Sequence, residues 1–506
     1  MHNHRNLVQQ IAANVQGYFK HGKPFRIYHG STNSTRQTTH RRENTVDISA
    51  LSKILKVDTD TRTALVEPNV PMDRLVESTL KHGLIPPVIM EFPGITAGGG
   101  FAGTGGESSS FKYGYFNETV KSVEIVLGNG DVITASNQEN SDLLHGASGA
   151  VGSLGITTLL EIQLIQAKKY VQVTYYPSRS ISEAIEKIRA EIQNPELDYV
   201  DGILFSKEHG VIVTGRLTDE IPDPAQVQSF SGANDPWYYL HVKNKTLRSL
   251  QSVTEYIPLA EYLFRYDRGG FWVGASAFEY FNFPFNDFTR WFLDDFLHTR
   301  MLYRALHASE QSRNYIVQDL ALPFSTAEEF IDYTTRSFNI WPLWLCPLRQ
   351  SRLPTLHPHF SETEANGKTL KPMLNVGLWG FGPTQYEKFI AKNYELERKL
   401  RDFRGMKWLY AHTYYNEGEF WELFDRRWYD GLREKYKAES LPSIWQKVRV
   451  DPNAQKQAID KSWGSWALQF WPLGGIWGIR KAIESGEYLI ARNSTWKRRN
   501  SLGKNG

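Results

Sequence analysis

The residues with the clearest chemical capacity lie between Pro93 and Gly114. There glycines stand at 94, 98, 99, 100, 103, 105, 106 and 114, with Ile95, Thr96, Thr104, Ser108 and Ser109 among them. Glycine loses more conformational freedom on ordering than any other residue, so this density implies backbone that must approach something closely. Successive N–H groups helped by hydroxyls form a cradle for a phosphate or pyrophosphate. The alternative is a Gly/Ser linker, against which Phe101, Phe111 and Tyr113 stand as apolar anchors. Two further turns share the texture. Gly30, Ser31, Thr32, Asn33, Ser34 and Thr35 follow an expected strand, Phe25–Tyr28, and Gly152, Gly155 and Ile156 close the run Gly146–Ile156. The 29–35 turn has neither Walker nor Gly-x-Gly-x-x-Gly spacing. Three Gly-rich turns beside strands point to one long ligand lying across several loops.

The elements that must hold these turns are legible in part. Strands are expected at Thr45–Ile48, Thr63–Glu67 and Thr157–Ile165, with a helix at Met72–His82 and another at Asn140–His145. Asn129-Gly130 marks a hairpin between Ser122–Leu127 and Val132–Ala135. From Ala167 the order becomes strand, helix, strand, strand: Lys168–Tyr176, Ile181–Ile192, then Val200–Phe205 and Val211–Thr214 across His209-Gly210. That order suits an antiparallel sheet backed by helices. Residues 230–310 read as aromatic-rich and mostly helical. Strands then return at Ile340–Cys346 and Met373–Trp379, and a helix at Gln385–Phe403 precedes Trp408–Ala411 and the helix Glu417–Tyr436. The fold class is α+β, divided as 1–168 (ligand-binding), 169–405 (substrate or cap), 406–450 (closing segment) and 451–506 (tail).

Bulk properties exclude several functions. A net charge of +3 over 506 residues, with no basic arm, gives no case for nucleic-acid binding. The single cysteine, Cys346, rules out an intramolecular disulfide and any Cys-based zinc site, and no His/Asp/Glu spacing suggests another metal. No signal peptide is read at the N-terminus, where Leu7, Ile11, Val15 and Phe19 mark a short amphipathic helix, and no apolar run reaches membrane-spanning length. The expectation is an intracellular protein, cytoplasmic or peripherally attached to the endoplasmic reticulum membrane. Trp463, Trp466, Trp471 and Trp477 near a basic end (Lys497, Arg498, Arg499, Lys504) fit a membrane-interface anchor, or else a segment packed on the body.

Gly98-Gly99, Gly103-Thr-Gly105, Glu107-Ser-Ser-Ser110 and Lys112-Tyr-Gly114 resemble the signature of the Δ24-sterol reductase (Diminuto/Dwarf-type) family. That family falls within the PCMH-type, vanillyl-alcohol-oxidase superfamily. The likeness continues through Val66-Glu-Pro68, Asn140-Ser-Asp142, Glu255-Tyr-Ile-Pro-Leu259, Asp267-Arg-Gly269, Val317-Gln-Asp319, Trp344-Leu-Cys-Pro347 and Glu419-Phe-Trp421, covering about residues 20–450. It implies a two-subdomain FAD-binding domain, FAD lying over the three loops, and a cap domain with an antiparallel sheet. It further implies NADPH as hydride source and a sterol-like apolar substrate whose carbon–carbon double bond is reduced. Superfamily members with covalent flavin use a histidine of the first loop; the matching place is Asn33, so FAD is expected to be bound non-covalently. The aromatic tail has no recognised counterpart, and the family's membrane-bound members carry an N-terminal span not read here.

An isolated alkene accepts hydride poorly, so a placed acid must carry much of the reaction. Similar flavoproteins fold their C-terminal part over the ring, and here Tyr410, His412, Tyr414, Asn416 and Glu419 fall within it. In an extended run, 410, 412 and 414 would share one face. Tyr414, Glu419 and His412 are the first candidates, the first two matching the family pattern. Asp319 and Arg268 are secondary, with a buried Asp–Arg pair as their structural alternative. Two other readings remain at this point: an oxidase or dehydrogenase using the same FAD with oxygen, and a non-catalytic, membrane-associated flavoprotein.

Overall fold

The computed structural model describes residues 1–30, 44–103, 105–222, 227–309, 314–364, 367–451 and 472–497. Two antiparallel sheets organise the α+β fold. The first has five strands in the order Ile54–Asp58, Thr63–Val66, Ile156–Gln163, Val120–Val126, Val132–Ser136. Ile156–Gln163 alternates buried and half-buried residues strictly, as a strand with one face in the core must. The hairpin turns at Asn129-Gly130, with Val126 opposite Val132. Arg26–Tyr28 pairs in parallel with Thr45–Asp47, and the helix His2–Lys20 buries Val8, Ile11 and Val15 against this region. Phe19 of that helix faces solvent, so its stripe runs one turn short of the expected one.

The second sheet has eight strands: Val253–Pro258, Tyr170–Ser178, His209–Thr218, Tyr199–Ser206, Leu343–Leu348, Met373–Phe381, Tyr315–Pro323 and Met406–Lys407. Helices Ile181–Glu191, Phe324–Ser337 and Tyr386–Asp402 cover one face, burying Ile316, Leu320, Leu345 and Val376. Residues of the opposite parity, such as Trp344, Cys346 and Trp379, join the core that includes the five-stranded sheet. This parity puts a cavity between the two sheets.

Several expected elements come out differently. Val253–Pro258 is a strand inside the segment expected to be mostly helical, and Tyr315–Pro323 is a strand whose near-continuous burial hid its period. His209-Gly210 begins a strand instead of forming a turn. The run that holds 410, 412 and 414 is not extended throughout; pairing stops at Lys407 and the chain turns. The expected helix over 417–436 is two helices, Glu417–Leu423 and Arg426–Lys435, because the Asp425 side chain accepts from Trp428 N at 2.9 Å and caps the second. The Gly-rich stretch is not all loop: Ala97–Gly103 and Ser110–Tyr113 are helical.

Beyond Pro472 the chain packs on the body. Helix Leu473–Glu484 sets Gly478 against the Ala305 carbonyl, and Gly475 against Tyr280 and Phe281. Trp496 meets Phe264 with ring centroids 5.0 Å apart, and the Thr495 N–H donates to Glu77 at 2.6 Å. Trp463, Trp466, Trp471, Arg498, Arg499 and Lys504 lie outside the described residues. Among the described residues no helix is long and apolar enough to cross a membrane.

Candidate active site

A cavity of about 950 Å³ lies between the Gly-rich segments and the eight-stranded sheet. Gly30, Ile95, Thr96, Gly98, Gly99, Gly103, Gly105, Gly152, Gly155 and Ile156 line one side, so ten of the expected cofactor positions converge there. Phe92, Phe271, Leu302, Tyr303, Trp344 and Trp379 line the other. The lining therefore combines bare backbone with aromatic and aliphatic side chains.

The glycines of the central stretch divide by what a side chain would meet. A Cβ on Gly98 would lie 2.7 Å from Pro68, on Gly100 2.5 Å from Met90, and on Gly106 1.8 Å from Leu348. These three are glycines because protein packs directly on their backbone. Gly103 and Gly105 differ: their nearest neighbours would be Val151 at 3.5 Å and Asp319 at 3.7 Å, ordinary contact distances. Packing does not require glycine at either position, yet both border the cavity. Room left open at a cavity wall is what a bound ligand would fill.

The other expected binding positions are placed elsewhere. Gly94 is not at the cavity wall; Ser108 and Ser109 are buried, and the Ser108 hydroxyl is spent on Glu91 at 3.0 Å. Ser31, Thr32, Asn33, Ser34, Thr35 and Thr104 lie outside the described residues.

The three first acid candidates do not converge. Because 408–415 is not extended, 410, 412 and 414 do not share a face: Tyr410 borders the large cavity, whereas His412 and Tyr414 border a small side cavity with Gln318 and Asn393. Glu419 is engaged structurally. Its carboxylate accepts from the Asn416 N–H at 3.1 Å and from the Tyr394 hydroxyl at 2.7 Å, closing a capping box at a helix start. Arg268 takes the structural alternative, paired with Asp294 at 2.7 Å.

Of the sequence-predicted acids, Asp319 borders the large cavity, as do Glu91 and Glu107. Its Oδ1 accepts from Asn375 Nδ2 at 3.0 Å and its Oδ2 from the Tyr410 hydroxyl, not from any arginine. Burial pushes its pKa up to about 6, against these two hydrogen bonds. Glu107, in the same wall, is raised as well, first by burial and then by the charges of Glu91 and Asp319. Sequence reasoning passed over Glu107, although a lone carboxyl among small residues was the available signal. It also missed the buried cluster behind it. Arg265 Nη2 contacts Glu91 at 2.9 Å and Asp201 at 3.0 Å, with Tyr266 and Trp344 donating to Asp201. Burial raises Glu91 to about 7 despite the Arg265 charge. Lys447 was missed too; its Nζ borders the cavity and donates to the Gly152 carbonyl at 3.2 Å.

Residues 7–136 match the family described as FAD binding domain. The Δ24-sterol reductase of Homo sapiens is 32% identical over 404 residues, spanning 79% of this chain and 76% of that protein. The chain belongs to the Δ24-sterol reductase family. The Arabidopsis thaliana Δ24-sterol reductase is 27% identical over 81% of this chain and 78% of its own length. Cytokinin dehydrogenase 4 of Oryza sativa subsp. japonica is 31% identical over 171 residues, 33% of this chain and 32% of that protein. The Δ24-sterol reductase relatives thus cover most of the fold, and the chain is an FAD-dependent oxidoreductase of this family. The residues present fit FAD: backbone with unfilled room at Gly103 and Gly105, and a lysine for phosphate charge at the Gly152 turn.

Proposed function

We propose that this chain reduces an isolated carbon–carbon double bond of a sterol or similarly large apolar molecule, with NADPH as the source of hydride. The carrying observation is one cavity lined both by bare glycine backbone and by Phe271, Trp344 and Trp379. On this reading Gly30, Gly103, Gly105, Gly152, Gly155 and Ile156 hold FAD, with Lys447 offsetting phosphate charge. Bound and reduced, the flavin supplies hydride. The aromatic wall positions the alkene and keeps water out, which an apolar substrate of this size needs for tight binding. A buried acid in that wall must supply the second hydrogen as a proton.

Anaerobic mixing tests the reading. NADPH should bleach the flavin, and a Δ24-unsaturated sterol should then restore its colour. Bleaching by an alcohol or amine substrate without NADPH would contradict it.

We also propose peripheral membrane contact. Leu473, Ile476 and Ile483 of helix Leu473–Glu484 are exposed, and Arg480 and Lys481 lie over the Trp477 ring. Apolar residues beside cations suit the interface of an anionic membrane. Trp477 also borders the cavity, so such contact would set the cavity near lipid.

A further inference from the structure

The acid in the cavity wall is built by three separate segments. Along strand Tyr315–Pro323 the two-residue period puts Tyr315, Val317 and Asp319 on the cavity side, and Ile316 and Leu320 in the opposite core. Asp319 therefore ends a row of apolar wall residues. Directly opposite it on the neighbouring strand is Gly377, where a Cβ would lie 2.8 Å from the Trp379 ring and 3.1 Å from Oδ1. Room is thus kept for the carboxyl. Two residues along, Asn375 donates to Oδ1, and Trp408 Nε1 donates to Asn375 Oδ1 at 3.2 Å, fixing the amide's orientation. The remaining oxygen, Oδ2, meets the Tyr410 hydroxyl and the open space beside Gly105.

A carboxyl built only for stability would be expected to carry a cation, as Glu397 does with Lys407 and Asp73 with Arg300. Among the described residues no cation lies within ion-pairing distance of Asp319. Burial without a counter-ion favours the neutral acid, as the upward shift of this group reflects.

We propose that Asp319 and Tyr410 together form the proton donor of the reductase reaction, Tyr410 delivering the proton to the alkene and Asp319 replacing it. This rests on the reductase reading above. With Asp319 ionised, the Tyr410 hydroxyl donates to it. With Asp319 protonated, the carboxyl donates to the phenolic oxygen and the tyrosine's own proton turns toward the cavity, since a hydroxyl both donates and accepts. The alkene's π bond breaks; one carbon gains hydride from reduced flavin and the other gains the Tyr410 proton. The Asp319 proton passes to the Tyr410 oxygen, leaving a carboxylate that solvent reprotonates. The sum is one hydride and one proton added, with two electrons taken from the flavin.

The groups facing the pair are Glu107 of the Gly-rich stretch, Tyr303 of helix Thr299–Ala308 and Cys346 of strand Leu343–Leu348, each buried and neutral when protonated. Glu107 and Glu91 are raised as well, so the limb of the pH profile that belongs to the pair is the one that vanishes in Asp319→Asn.

The test uses holoenzyme pre-reduced with NADPH and mixed anaerobically with a Δ24-unsaturated sterol. Asp319→Asn and Tyr410→Phe should each slow flavin reoxidation by about a hundredfold or more, and Asp319→Glu should recover part of the rate. Flavin content and reduction by NADPH should be unchanged, which separates proton delivery from folding and flavin binding. The wild-type rate should fall as pH rises through about 6, the folded-state pKa of Asp319, and that limb should vanish in Asp319→Asn. Infrared difference spectra of the protein should show a carboxylic-acid band titrating over the same range and missing from Asp319→Asn. Full reoxidation rates in both variants, or an unchanged band in Asp319→Asn, would overturn this assignment alone. A wild-type holoenzyme that hydrogenates no alkene would overturn the reductase reading and this one with it.

Discussion

Arg300 grips Asp73 with two parallel hydrogen bonds, Nη1 to Oδ2 at 2.7 Å and Nη2 to Oδ1 at 3.0 Å, although 227 residues separate them. Nη2 also reaches the Pro93 carbonyl at 3.1 Å, where the Gly-rich stretch begins. Helix Thr299–Ala308, which gives Leu302 and Tyr303 to the apolar wall, is thereby fixed to the FAD-binding side. Arg300→Met leaves a buried carboxylate without its cation, a loss of about 3 kcal/mol or more. Denaturant unfolding of the two proteins should show that difference, and Arg300→Lys should recover only part of it because a lysine cannot reproduce the fork.

The two kinds of glycine should part under mutation. Gly100→Ala forces a methyl against Met90 and Phe116, costing about 2 kcal/mol by overpacking, and should lower thermal stability with or without FAD. Gly103→Leu should leave the apoprotein's melting temperature near wild type while abolishing flavin absorbance in the purified protein. Equal flavin content in Gly103→Leu and wild type would remove this position from the cofactor site.

Around Asp267 the charge balance predicts a dependence on pH. Burial opposes the charged form of His298, but Asp267, at 2.6 Å, outweighs it and raises its pKa. Asp267 and Asp294 are held low by His298 despite their burial, while burial lowers Lys497. A histidine whose folded pKa is raised contributes stability fully below its unfolded value, about 6.5, and loses it as pH rises through the folded value. The melting-temperature gap between wild type and His298→Asn should thus be widest near pH 6 and narrow toward alkaline pH. A gap that widened with pH would show that the pair is not charged.

Membrane contact through helix Leu473–Glu484 is checked by vesicles rich in anionic lipid. Replacing Ile476 and Ile483, 56% and 44% exposed, by serine should reduce co-sedimentation severalfold, since each removes about 2 kcal/mol of apolar burial at the interface, with flavin content unchanged. Equal sedimentation would leave the helix a purely structural strap.

What the sequence revealed followed from local rules. Asn129-Gly130 can hardly be anything but a hairpin turn, and the strand expected at Thr157–Ile165 is found at Ile156–Gln163. Tyr315–Pro323 stayed hidden because it is buried on both faces, which erases the period that identifies a strand. Within Pro93–Gly114, Gly103 and Gly105 keep unfilled room beside the cavity, but Gly98, Gly100 and Gly106 answer to neighbours such as Pro68 and Leu348, distant in sequence. The acid candidates are dispersed in space for a related reason. Proximity in sequence grouped Tyr410 with His412 and Tyr414, whereas the turn after Lys407 sends Tyr410 alone to Asp319, 91 residues away.

The central claim is addition of hydrogen across a double bond, and isotope tracing tests it most directly. Holoenzyme, NADPH and a Δ24-unsaturated sterol incubated anaerobically in deuterated water should yield a product two hydrogens heavier than the substrate. At least one of the two new hydrogens should be deuterium carried on carbon, the one delivered by the protein acid, which exchanges with solvent. Recovery of unreduced sterol, or of a product that has lost two hydrogens when oxygen is admitted, would contradict the account.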